Sequence, residues 1–368
     1  MKRAVYIVTA MDAGGAETVF MKFYRALDKN KYQLDFCVSS DEPGFYDDEI
    51  RELGGRIVHT VKKSESGPVA SFRRLRDIAR EGGYCAAVRS SQHSLSALDL
   101  LAMRAGGVPR TVFRSSNTGT VTNSRKEAVL HSMFRPLIRL AATSYVAPST
   151  EAGLYMFGEA GVSSGKFDIL HNAVDLQEFD YREDARKKIR RELGIAEDAL
   201  VVGHVGRFNQ QKNHAFLIDV FAEIAGKRDE AVLLLLGKGE LLESARQKVE
   251  VLGLSDRVKF AGVRSDVALC YSAMDVLAFP SLYEGLPNVV IEAQANGLPC
   301  VISNAITQEA VINGNVVSMP LSGGAGSWCE ALFRLSGRRA EDGASELRLA
   351  GYDIKEELSN FVRLVFGE

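Results

Sequence analysis

The segment Ser281-Leu282-Tyr283-Glu284-Gly285-Leu286-Pro287-Asn288-Val289-Val290-Ile291-Glu292-Ala293 sets two carboxylates, with seven residues between them, around a glycine turn and a helix start. Pro287 suits the first helical position, Gly285 permits close backbone approach, and a new helix offers free N–H groups to an anion. Glu284 in the turn and Glu292 about a turn inside the helix can flank whatever binds there. Taken alone, the pair also reads as a surface turn Glu and a helix Glu in a salt bridge. A second segment, Gly203-His204-Val205-Gly206-Arg207-Phe208-Asn209-Gln210-Gln211-Lys212-Asn213, ends a strand in Gly206-Arg207 and brings Lys212 to a helix start. Arg offers a planar fork and Lys a compact charge, a pairing suited to a diphosphate. A loop salt bridge with nearby acids accounts for these two residues as well. A third segment, Met11-Asp12-Ala13-Gly14-Gly15-Ala16-Glu17, places a glycine pair after the first strand without forming a GxGxxG fingerprint. Close substrate approach and a plain tight turn both explain it.

These residues need a scaffold, and the hydrophobic pattern supplies one. Strand-like runs at Ala4–Val8, Leu34–Val38, Arg56–Thr60, Ala86–Val88, Arg110–Phe113 and Ser144–Ala147 alternate with helical patterns. The second half repeats the alternation, with strands at 200–205, 231–236, 257–261, 276–279 and 300–303 and helices at 215–225, 241–252, 267–272 and 288–296. Such alternation predicts parallel sheets with helices on both faces, here two Rossmann-like doubly wound domains in an α/β chain. The 368 residues exceed what one core usually serves. The boundary is expected at Leu170-His171-Asn172-Ala173-Val174-Asp175, giving domains 1–171 and 172–351. Ligands are then expected at the strand carboxyl ends, in a cleft where the two sheets face each other.

In this order and on these elements, the segments resemble the retaining glycosyltransferases of family 4, which have the GT-B fold. The resemblance covers nearly the whole chain. It includes Leu170–Asp175, Gly237-Lys238-Gly239-Glu240 and Val258-Lys259-Phe260-Ala261-Gly262 before Ser265-Asp266-Val267. Within the family, Arg114-Ser115-Ser116-Asn117-Thr118, Ala147-Pro148-Ser149, Phe157-Gly158 and Ser303-Asn304-Ala305-Ile306-Thr307 make it similar to bacterial exopolysaccharide and capsule biosynthesis enzymes.

The resemblance implies a nucleotide-sugar donor, UDP being commonest among relatives, held by the second domain. Arg207 and Lys212 would neutralise its diphosphate, with Gly285, Leu286, Pro287 and Asn288 adding backbone donors and Gly237 lying beside them. Glu284 would bind hydroxyls of the sugar and Glu292 the ribose. Gly262, Val263 and Arg264 would meet the base, largely through main chain. The acceptor, a glycan or lipid-linked glycan, would approach Gly14 and Gly15. No Asp-x-Asp is present, so no metal or other cofactor is expected. In relatives the C-terminal helix crosses back to the first domain, which implies the same for 352–368. One departure concerns positions where relatives commonly carry His: Arg89 and Arg114 stand there, His93 being a displaced candidate. A donor carboxylate gripped by Arg114, a donor lacking a hydroxyl, or lost activity would each follow. The alternatives to transfer are a GT-B-type nucleotide-sugar epimerase or phosphorylase, and a non-catalytic nucleotide-sugar-binding scaffold.

Charge separates the halves. The chain has 45 basic and 47 acidic residues, net −2, against a nucleic-acid binder. Residues 1–170 nevertheless carry 23 basic and 18 acidic side chains. The excess lies in 101–140, with Arg104, Arg110, Arg114, Arg125, Lys126, Arg135 and Arg139 against Glu127. Over 124–141, Leu130, Met133, Phe134, Leu137 and Ala141 follow helical spacing, with Pro136 expected to kink or split the helix. Docking on an anionic membrane and a core-packed helix with a wet basic face both fit. Five scattered cysteines without Cys-x-x-Cys point to a reduced, cytoplasmic protein. The N-terminal apolar run is too short for a signal peptide, and no stretch is long enough to span a membrane.

Overall fold

The structure, a computed structural model, describes residues 1–116 and 125–368, the latter with side chains from 128 onward. Asn117, Thr118 and Ser124, and the side chains of Arg125 and Lys126, lie outside the described residues. The chain divides into two units, Met1–Ala173 with Ile354–Glu368, and Val174–Asp353.

In the first unit the described strands are β1 (Lys2–Val8), β2 (Tyr32–Val38), β3 (Ile57–His59), β4 (Ala86–Ser91), β5 (Arg110–Ser115), β6 (Ser144–Ala147) and β7 (Phe167–Ile169). They form one parallel sheet ordered β3-β2-β1-β4-β5-β6-β7. The β1 side chains alternate between two cores: Ala4, Tyr6 and Val8 enter one, Val5 and Ile7 the other. That two-sided burial is why the run reads as continuously apolar.

The second unit carries β8 (Val201–Val205), β9 (Val232–Leu236), β10 (Val258–Gly262), β11 (Val276–Phe279), β12 (Cys300–Ser303) and β13 (Val316–Met319). Again the sheet is parallel, in the order β10-β9-β8-β11-β12-β13. Leu233 and Leu235 face one core, Leu234 and Leu236 the other. Each sheet reverses its strand order once, between β1 and β4 and between β8 and β11, where doubly wound sheets bind ligands.

The helix Ile354–Phe366 belongs to the first unit. Phe361 stacks on Phe23 with ring centroids 4.5 Å apart and meets Phe20 edge-on at 5.8 Å. Its amphipathic spacing places Phe361, Leu364 and Val365 in the same core as Tyr6 and Phe36.

The helix Arg125–Ala141 runs through Pro136 without ending there. Its inward side differs from the expected stripe: His131, Ile138 and Ala141 are buried, whereas Leu130 and Met133 are exposed. Val129, Met133 and Leu140 are each more than 60% exposed and, with Pro136, fall at i, i+4, i+7 and i+11 on one face. Helical period alone could not say which of two apolar faces the core takes.

Candidate active site

Lys212 is held at the reversal between β8 and β11 by two loops that clamp each other. Asn209 caps the turn Gln210–Lys212 by accepting from the Lys212 N–H at 3.1 Å. Gln211 accepts from Leu282 N–H at 2.8 Å and donates from Nε2 to the Tyr283 carbonyl at 2.9 Å. Asn213, at φ 54°, donates to the Pro280 carbonyl at 3.3 Å. These ties set Lys212 Nζ 2.6 Å from Glu284 Oε1 and 4.6 Å from the centroid of the Phe279 ring. Both side chains are largely enclosed, 15% exposed for Lys212 and 10% for Glu284.

Arg207 follows the same strand and is exposed. Among the described residues its side chain makes no hydrogen bond or ion pair. One cation is thus committed to a carboxylate and one is available to a ligand.

The strand ends around them are drawn close. A Cβ at Gly237, which sits at φ +136°, would lie 2.0 Å from the Gly206 carbonyl oxygen, so only glycine fits. Gly206 N–H donates to Leu236 and Gly237 N–H donates to Gly262, at 2.9 and 2.8 Å. Gly262 and Val263 continue along this edge and are exposed. Arg264 is engaged elsewhere: its fork donates to Asp266 at 2.7 Å and to Glu192 at 2.6 Å, and these carboxylates raise its pKa. That leaves main chain at Gly262 and Val263 as the accessible part of the segment.

Pro287 occupies the cap position, in extended conformation, one residue before the helix Asn288–Ala295 rather than its first turn. Gly285, Leu286 and Pro287 are buried, and Asn288 is half-buried. Glu292 is buried one turn in, accepting a 2.8 Å bond from the Tyr271 hydroxyl. Burial, then the Glu292 charge, pushes the Tyr271 pKa well above its ordinary value.

In the first unit, Gly14 caps the helix Gly15–Ala26 at the end of β1, and Gly15 is exposed. Arg89 and Arg114 sit differently from the expectation that they reach a ligand. Arg89 donates to Asp99 at 2.9 Å and to the carbonyls of Ile7 and Ser90, tying β4 to β1 and to the next helix. Arg114 is 2% exposed, donates to Asn172 and lies 5.9 Å from the Phe20 ring centroid. Burial lowers its pKa, with Tyr6 and Glu17 opposing. A bidentate grip on a donor carboxylate needs an open fork, which this enclosure does not present.

Residues 13–178 match the family described as Glycosyltransferase Family 4, and residues 185–321 match Glycosyl transferases group 1. EpsF of Bacillus subtilis (strain 168), a glycosyltransferase by name, is 35% identical over 362 residues, 97% of this chain and 94% of its own. The chain belongs to the family 4 glycosyltransferases.

An Escherichia coli relative of this glycosyltransferase is named UDP-Gal:alpha-D-GlcNAc-diphosphoundecaprenol alpha-1,3-galactosyltransferase. It is 25% identical over 312 residues, 82% of this chain and 77% of its own. In fold the glycosyltransferase is similar to Anabaena Alr3699/HepE crystallised with UDP-glucose, with TM-score 0.79 at 18% identity over 98% of this chain and 99% of that one. WaaG, a glycosyltransferase involved in lipopolysaccharide biosynthesis, gives TM-score 0.74 at 16% identity over 99% and 100%. The fold is GT-B.

Two histidines beneath the Lys212 pair of this glycosyltransferase carry no sequence signal. His204 stacks on Phe279, His214 stacks on Phe208 at 3.9 Å, and the two rings meet edge-on at 4.7 Å. His204 Nε2 and both His214 ring nitrogens are buried without a hydrogen-bond partner among the described residues. Burial, then the Lys212 charge, lowers the His214 pKa to about 4. Burial, then His214, takes His204 well below its ordinary value. Both therefore stay neutral under a lysine. They are ten residues apart and meet only because β8 and the following helix fold against one another.

Proposed function

We propose that this glycosyltransferase moves a sugar from a UDP-sugar to a glycan or lipid-linked acceptor of a cell-surface polysaccharide, retaining anomeric configuration and using no metal ion. The observation that carries the reading is the unengaged cation Arg207 on the same strand end as the enclosed Lys212–Glu284 pair. Cleaving a glycosyl–diphosphate bond develops negative charge on the leaving oxygen, and fixed cations aimed there are the main catalytic contribution. Arg207 and Lys212 supply that charge, and the backbone from Gly285 to Asn288 adds donors at a helix start. Glu284 accepts hydrogen bonds from hydroxyls of the donor sugar while it orients Lys212. Glu292 takes the ribose, Gly237 borders the diphosphate, and main chain at Gly262 and Val263 meets the base. A donor phosphate oxygen takes the acceptor proton as the acceptor attacks from the leaving group's own face, so no protein base is assigned.

UDP is favoured because the Escherichia coli relative's name gives UDP-Gal and the Anabaena structure holds UDP-glucose. A lipid-linked acceptor, approaching Gly14 and Gly15, is favoured by the diphosphoundecaprenol in the relative's name. Among the described residues no helix is long and apolar enough to cross a membrane. Val129, Met133 and Leu140, exposed beside Arg139, support peripheral docking on the anionic inner face of the plasma membrane, from the cytoplasm. The test joins binding to transfer. UDP should raise the melting temperature above ADP or GDP, and UDP-sugar turnover with EDTA present should yield an α-linked product from an α-linked donor. Absence of a UDP shift, a strict need for metal, or an inverted product overturns the corresponding part.

A further inference from the structure

A cavity of about 440 Å³ opens in the first unit between the helices Lys63–Gly82 and Ala97–Ala105. Its volume falls in the small-molecule range of about 300–1,000 Å³. The first of these helices is broken near its start: Gly67 has φ +78° and ψ 163°, with Pro68 next, so the opening turn departs from the helix that follows. A Cβ at Gly67 would meet nothing within 4 Å, so the left-handed backbone alone asks for glycine. These helices follow β3 and β4, and so start at the carboxyl end of the sheet, the end that also carries Gly14 and Gly15.

The walls are mostly apolar: Pro68, Val69, Phe72 and Leu98 line the cavity with the one hydroxyl of Ser71, and Val69 stays 63% exposed. The charge around them is one-sided, with Lys63, Arg73 and Arg76 against Asp99. Asp99 is buried and already neutralised by Lys63 Nζ at 2.5 Å and Arg89 Nε at 2.9 Å. Arg76 pairs with Asp77 at 2.9 Å. Arg73 is exposed and makes no ion pair among the described residues. A saccharide needs hydrogen-bonding groups along its walls, and here the polar groups other than Ser71 are charged side chains, most of them already paired. A hydrocarbon chain with an anionic head matches both the walls and the rim.

We propose that this cavity binds the hydrocarbon chain of the lipid-linked acceptor, with Arg73 on its phosphate. The proposal rests on the acceptor class read above and names the part of the protein that selects it. Chain burial supplies affinity, the guanidinium of Arg73 fixes the head group, and the linked sugar is left at the end of the sheet that carries Gly14 and Gly15.

The test titrates farnesyl phosphate into the full chain with saturating UDP present, beside inorganic phosphate as control. Farnesyl phosphate should raise the melting temperature where inorganic phosphate does not. Leu98→Trp, which fills the cavity, and Arg73→Glu, which leaves the walls intact, should each weaken it about tenfold or more. The UDP shift should persist in both variants, showing that they fold. Equal binding by wild type and both variants, no farnesyl phosphate binding, or an equal response to inorganic phosphate overturns the proposal and leaves the donor site untouched. Equal transfer to a free glycan and to its lipid-linked form would overturn the acceptor class instead, whatever farnesyl phosphate does.

Discussion

Lys212 and Glu284 form a 2.6 Å ion pair between the loops that follow two adjacent strands, β8 and β11, and the ring of Phe279 lies under the ammonium. The lysine is therefore positioned before any substrate arrives, and the carboxylate does the positioning. Breaking an enclosed pair by removing one partner strands the other's charge, at a cost of about 3–5 kcal/mol.

Lys212→Met should accordingly lower both stability and activity, and the double variant Lys212→Met/Glu284→Gln should recover most of the stability and none of the activity. Urea unfolding and kcat, measured on the same preparations, separate the two effects. Recovery of turnover in the double variant would remove Lys212 from catalysis.

Arg207→Ala should behave differently, because this side chain holds nothing else in place among the described residues. The expected result is an unchanged melting temperature with kcat/KM down about 100- to 1,000-fold, the range for losing one preorganised donor. Arg207→Lys, which keeps charge but not the fork, should fall between. A melting temperature that drops with activity would make Arg207 a structural residue.

His214 predicts an acid limb in stability. Its pKa falls from the ordinary value to about 4 in the folded chain. Above the unfolded value of about 6.5, both states hold the neutral ring and the full stability is present. As pH falls from there toward 4, the unfolded chain takes up a proton that the folded chain refuses, costing about 1.4 kcal/mol per pH unit. His214→Phe, which keeps the stack on Phe208, should make this part of the profile shallower by one proton, His204 supplying a limb of its own. Urea midpoints between pH 7.5 and 4.5 that are parallel in wild type and variant would contradict it.

Phe361→Ala should cost about 3–5 kcal/mol, as for a buried aromatic cut to a methyl group. Phe361 lies against both Phe20 and Phe23 on the helix that follows Gly14–Gly15. The expected signature is a lower melting temperature with UDP binding by the remaining protein retained. Loss of UDP binding at temperatures where the chain is still folded would contradict it.

Much of this architecture is legible in the residues because parallel strands buried on both faces are unbroken apolar runs. β6, β11 and β12 begin and end where the sequence places them, at 144–147, 276–279 and 300–303. The helix Glu183–Glu192 reads instead as a polar stretch, since its packing rests on Ala185, Ile189 and the stem of Arg190 amid charge. β13 is missed because four residues with a serine inside, Val316-Val317-Ser318-Met319, carry too little period to stand out. At the candidate site, residue type and spacing indicate Arg207, Lys212 and Glu284. The Lys212–Glu284 contact, the aromatic and imidazole layer beneath it, and the closure of Arg114 arise from contacts distant in sequence. No local pattern encodes them.

The return of the helix Ile354–Phe366 to the first unit has a consequence for synthesis. The surface that Phe361 covers is made early, yet its cover leaves the ribosome only after about 180 further residues of the second unit. At roughly 5–20 residues per second, that interval lasts on the order of ten to forty seconds. Throughout it the faces of Phe20 and Phe23 that Phe361 comes to cover lack that partner, a window in which a chaperone or a neighbouring polysome product competes with the helix Ile354–Phe366.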